Sequence, residues 1–89
     1  MAWRIEFDPA AAKELYKLGA VPARRILGFL STRLSKLEDP RSVGEALKGR
    51  LGQLWKYRIG DYRIIADIQD HVLIILIVRV GHRREVYKR

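Results

Sequence analysis

The tightest constraint on the fold of this chain is a dipeptide, Gly60-Asp61, set between two strand-like runs, Leu54–Ile59 and Tyr62–Gln69. A two-residue connection with glycine first suits a type II′ hairpin turn. Such a turn fixes the register: Ile59 faces Tyr62, Arg58 faces Arg63 and Tyr57 faces Ile64. Side chains alternate along a strand, and cross-strand partners share a face. Lys56, Arg58 and Arg63 therefore project to one side of the hairpin. Trp55, Tyr57, Ile59, Tyr62, Ile64 and Ala66 project to the other, which is assigned to the core. Like charges directly opposite each other destabilise a sheet. The Arg58–Arg63 pairing thus implies an anionic ligand or partner that offsets the repulsion.

The remaining elements follow from patterning. Ala2 to Phe7 alternates, with Trp3, Ile5 and Phe7 on one side, as a half-buried strand does. Asp8 and Pro9 supply an N-cap and a first helical residue for a helix over 9–18, closed by Gly19. From Pro22, Ala23, Ile26, Leu27, Leu30, Leu34 and Leu37 recur at helical spacing, and the pattern stops near Asp39, ahead of Pro40. The short Gly19-Ala20-Val21 link makes the two helices an antiparallel hairpin. Pro40 to Gln53, with three glycines, reads as a loop with a helical turn around Glu45–Lys48. Val72–Val80 is apolar on both faces and is expected to be a central strand, reached through a turn at Asp70-His71 and ended by Gly81. The register of that second turn leaves the face taken by Arg79 open. The expected architecture is α+β: an N-terminal strand, a helix hairpin, then a three-stranded antiparallel meander in one sheet.

At 89 residues the chain is read as a single domain, 1–89, with a thin core. It has no cysteine, so no disulfide framework or thiolate metal site is available, which fits a reducing cytoplasm. Arg4, Glu6 and Asp8 stand where a signal peptide would be apolar, and no run approaches the ~20 apolar residues a membrane-spanning helix needs. A soluble, cytoplasmic protein is expected. Its net charge of +8 is uneven: residues 1–46 hold eight basic and six acidic side chains, and residues 47–89 hold ten and four. A positive field concentrated in the C-terminal half favours polyanions, chiefly nucleic acid, or an acidic protein partner.

The segments FDPAAAKELYKL, EALKGRLGQLWKYRIGDYRIIADI and VGHRREVY, in this order, resemble the RelE toxins of the RelE/ParE superfamily over essentially the whole chain. The resemblance implies a RelE-like microbial ribonuclease fold. It also implies a toxin that enters the ribosomal A site and cuts the bound mRNA with basic residues and a tyrosine near the C-terminus. By position it assigns that site to Lys56, Arg58, Arg63, Arg83 and Tyr87. A RelB-like antitoxin is the implied partner, and the pair is expected to bind its own operator DNA. Arg58 and His82 stand where a well-known member has lysine. Arginine stays protonated, so Arg58 is expected to clamp phosphate, and His82 becomes a candidate acid or base.

RNA brings its own nucleophile, the 2′-hydroxyl, so the enzyme need only orient it, move two protons and stabilise charge on phosphorus, with no metal or other cofactor. Arg63 and Arg83 are expected to grip the scissile phosphate. Lys56 is the candidate for proton transfer, its pKa lowered by neighbouring cations. Tyr87 is expected to stack on a base or assist, with His82 the alternative base. Two other readings stand beside this one, a ParE-like gyrase poison and a non-catalytic basic binding module.

Overall fold

The structure, a computed structural model, describes residues 2–47 and 54–82. Strand β1 (Arg4–Phe7) leads into helix α1 (Pro9–Lys17), as the alternation of Ile5 and Phe7 and the Asp8-Pro9 start signal predict. Asp8 caps the helix by accepting from the Ala10 amide at 3.1 Å. Helix α2 (Ala20–Thr32) begins two residues before Pro22. The proline lies in the first helical turn, where its missing N–H has no intrahelical acceptor to serve.

Helix α2 ends at Thr32, well short of Asp39. The hydroxyls of Thr32 and Ser35 donate to the carbonyls of Gly28 and Ser31, competing with the backbone ladder. A 3₁₀ turn at Leu34–Lys36 follows and brings Leu34 into the core. Where a loop with a helical turn was expected, a 3₁₀ turn at Pro40–Ser42 is followed by a two-residue strand, β2 (Glu45–Ala46). Residue 48, the end of that expected turn, lies outside the described residues.

Strands β3 (Leu54–Ile59), β4 (Tyr62–Gln69) and β5 (Ile74–His82) form the meander. Asp70-His71 belongs to a 3₁₀ turn running to Val72, closed by Leu73 in the left-handed conformation. This delays the start of β5 to Ile74. Gly81 does not end the strand, because it pairs with Arg63 and carries the ladder on to His82. The five strands lie in the order β1-β5-β4-β3-β2, with β1 parallel to β5 and the other pairs antiparallel.

Both helices cover one sheet face, where Ile26, Leu30 and Leu34 meet Tyr57, Ile64, Ile75 and Ile77. Three aromatic donors fasten the loop after α2 to this core: Trp3 Nε1 to the Glu38 carbonyl (3.2 Å), Tyr57 Oη to Pro40 (2.7 Å) and Trp55 Nε1 to Val43 (2.7 Å). The aromatics at core parity thus bury their rings and satisfy loop carbonyls at the same time. Burial pushes the Tyr57 phenol well above its ordinary pKa, so it stays a donor.

A bidentate pair between Arg41 and Asp70 (2.9 and 3.0 Å) ties the same loop to the β4–β5 turn. The guanidinium hydrogen bonds hold the Asp70 carboxyl below its usual range. A depressed folded-state pKa gives stability that is present above the unfolded value and lost as pH falls through the folded one. Thermal melts between about pH 5 and pH 2 should therefore fall less steeply for Asp70→Asn than for wild type. Parallel acid limbs would mean that the exposed pair adds nothing.

Candidate nucleic-acid interface

The β3–β4 hairpin has the register its turn dictates, with Ile59 paired to Tyr62, Arg58 to Arg63 and Lys56 to Ile65. Gly60 has φ +57°, and Leu73 is the only non-glycine with positive φ among the described residues. Positive φ at the first turn residue and not the second is the type II′ pattern. Tyr57, Ile59, Ile64 and Ala66 are buried toward the helices. Lys56, Arg58 and Arg63 consequently share the far face.

The three cations differ in what holds them. Arg58 is exposed, and among the described residues it makes no ion pair. Lys56 is half-buried, and its Nζ lies 3.3 Å from Glu45 Oε2, placed there by the β2–β3 pairing. Arg63 is only 6% exposed, and its Nη1 donates to the carbonyls of Gly60 (3.2 Å) and Tyr62 (3.1 Å). Arg63 thus closes the turn as well as facing Arg58.

His82 is not part of this cluster. It pairs with Tyr62, whose side chain lies on the helix side of the sheet, and the two rings meet edge-on with centroids 6.0 Å apart. His82 lines a cleft of about 580 Å³ with Glu14, Lys17, Tyr62 and Arg79. His82, the candidate alternative base, thus stands on the face opposite Lys56, because β5 continues to residue 82. Arg83 and Tyr87 lie outside the described residues.

The unplaced Arg79 is explained by a β-bulge. Ile65 pairs with Arg79 and Ala66 with Ile77, leaving Val78 as the extra residue. β1 stops at Phe7 opposite Ile77, so the edge of β5 beyond that point has no strand beside it. Glu14 of α1 takes that place, accepting from the Val80 amide (2.8 Å) and from Arg79 Nε (3.0 Å).

The family model of the ParE toxins of type II toxin-antitoxin systems (parDE) matches residues 5–87. The chain belongs to the RelE/ParE toxin family. It is 30% identical to the toxin RelG of Mycobacterium tuberculosis over the whole of both chains. It is also 30% identical to the mRNA interferase toxin RelE of Escherichia coli K12, covering 98% of this chain and 92% of that one. In fold it matches the toxin-antitoxin complex RelBE2 of M. tuberculosis with a TM-score of 0.84 at 29% identity, over 93% of this chain and 100% of that one.

Two residues of this toxin's charged surface were missed by reading the sequence. Glu45, the counter-charge to Lys56, sits in a strand too short to show a period. Glu14 reads only as a helical residue, because its contacts with Arg79 and Val80 span 65 and 66 positions.

Proposed function

We propose that this toxin is a ribosome-dependent endoribonuclease that cuts mRNA in the A site. One observation carries the reading: two arginines stand directly opposed on one hairpin face with a lysine beside them, an arrangement that an RNA phosphate would stabilise. Relatives 30% identical to this chain that are mRNA interferases support it. In the proposed reaction the 2′-oxygen attacks the adjacent phosphorus as its proton leaves. The bond to the 5′-oxygen breaks, and that oxygen takes up a proton. The products are a 2′,3′-cyclic phosphate and a 5′-hydroxyl, with no metal required.

Arg58 clamps a phosphate oxygen, and Arg63 and Arg83 stabilise the charge that grows on phosphorus. Lys56, held by Glu45, is the candidate for proton transfer, and Tyr87 stacks on a base or assists. A flexible acidic segment of a RelB-like antitoxin would cover this basic surface in the cytoplasm, and the pair would bind operator DNA. Antitoxin complexes of relatives support that partner. A ParE-like gyrase poison is the second reading, favoured by the description of the matching family model.

Induced expression followed by primer extension on a translated message separates these readings. Cuts within codons that require translation and vanish in Arg83→Ala are expected. Intact messages with arrested growth would transfer the assignment to gyrase, and cuts that persist in Arg83→Ala would remove that residue from the site.

A further inference from the structure

The tip of the β3–β4 hairpin carries cations on both of its sides. Helix α2 buries Ile26 and Leu30, and Arg25 stands about 100° around the helix from Ile26. Its exposed side chain reaches the turn: a methyl group on Gly60 would stand 3.1 Å from Arg25 Nη2, 3.3 Å from Nη1 and 3.5 Å from Cζ. The whole guanidinium therefore lies against the bare Cα of Gly60, on the helix side. On the other side Arg63 Nη1 donates to the Gly60 carbonyl, with Arg58 opposite Arg63. One glycine has a guanidinium on each side.

No ion pair among the described residues neutralises this arrangement. Among the described residues Arg25, Arg58 and Arg63 form no ion pair, and the adjacent Asp61 pairs with none of them. Arg25 makes no hydrogen bond among the described residues, so all five of its donors are unspent. Arg25 approaches the hairpin from the helix side and Arg58 lies on the far face. A polymeric anion laid over the tip reaches both.

We infer that the hairpin tip is a crossing point for the RNA strand, with Arg25 as a backbone-phosphate contact on the helix side, outside the reacting site. The inference rests on the RNA reading above and extends the bound strand around the edge of the sheet. Arg25 grips the strand and takes no part in bond breaking. It supplies affinity without base preference, as contacts to phosphate do.

The test is fluorescence anisotropy with a short, fluorescein-labelled, 2′-O-methylated oligouridylate, which cannot be cut, titrated over a range of KCl concentrations. Wild type is compared with Arg25→Gln, Arg25→Lys and Arg24→Gln. Arg24 is an exposed cation one residue earlier, so its variant makes the same change in net charge. Loss of one phosphate contact on a single strand lowers the slope of log affinity against log salt by ~0.7. Arg25→Gln should show that loss with several-fold weaker binding, Arg25→Lys should retain most of the slope, and Arg24→Gln should leave the slope unchanged. If Arg25→Gln merely tracks Arg24→Gln while wild type binds, the crossing point is overturned and the RNA reading stands. If wild type binds no oligonucleotide even at low salt, the crossing point is overturned, while the ribosome-dependent reading stands or falls with the primer extension above.

Discussion

An Arg58→Gln protein should cut message on programmed ribosomes about 10²- to 10³-fold more slowly than wild type while melting at a temperature no lower, and by up to ~4 °C higher. The two effects have one source. Arg58 is exposed, forms no ion pair among the described residues and stands directly across from Arg63. Opposed like charges cost on the order of 0.2–1 kcal/mol, and glutamine removes the charge while keeping most of the stem. A relief of ~0.5 kcal/mol raises the melting temperature of a domain this size by roughly 2–4 °C. In the reaction the same charge stabilises the phosphate as it gains negative charge, and removal of one such group typically costs ~3–4 kcal/mol of barrier.

Opposite signs separate a working cation from a structural one. Arg63→Gln, by contrast, should lose stability together with activity, because Nη1 of Arg63 also holds the Gly60 and Tyr62 carbonyls. Single-turnover cleavage and thermal melts at low salt read both quantities. Full activity in Arg58→Gln would remove Arg58 from the site, and a fall in stability equal to that of Arg63→Gln would make it a packing residue.

What was legible in the sequence was local. Gly60-Asp61 sets the register over the next few residues, and strand parity then places Lys56, Arg58 and Arg63 on one face without any knowledge of the rest of the fold. Asp8 and Pro9 likewise announce α1 from within one turn. What was not legible depended on distant partners. The parallel pairing of β1 with β5 joins residues 70 positions apart, as in Arg4 with Ile74. The bulge at Val78 alters parity in mid-strand, so counting by two from the turn could not place Arg79. His82 was singled out by the resemblance alone, and its face depends on the continued pairing of β5, which sends it to the helix side. The second task of Arg63, closing its own turn, was not foreseen, because hydrogen bonds from a side chain back to its own turn leave no trace in a hydrophobic pattern.

Gly44→Ala should lower stability by about 3–5 kcal/mol, a drop in melting temperature of well over 10 °C for a domain this size. Gly44 has φ +78°, where a side chain costs on the order of 1–2 kcal/mol before it touches anything. The added methyl would then stand 2.5 Å from the Lys56 carbonyl oxygen, 2.8 Å from Tyr57 Cδ1 and 2.9 Å from Trp55 Nε1. None of these can easily yield. The carbonyl is β3 backbone, Trp55 Nε1 is committed to Val43, and the Tyr57 hydroxyl to Pro40. Relief requires the loop to lift, and Glu45 is the next residue, so the same movement pulls the carboxylate away from Lys56. Gly60→Ala gives the contrast, since its φ is also positive but the atoms nearest the methyl belong to the end of the flexible Arg25 side chain. It should cost about 1 kcal/mol. Equal losses in the two variants would show that backbone conformation alone sets the penalty. A much larger loss at Gly44 would show that the loop carrying Glu45 is pinned against β3 by steric fit.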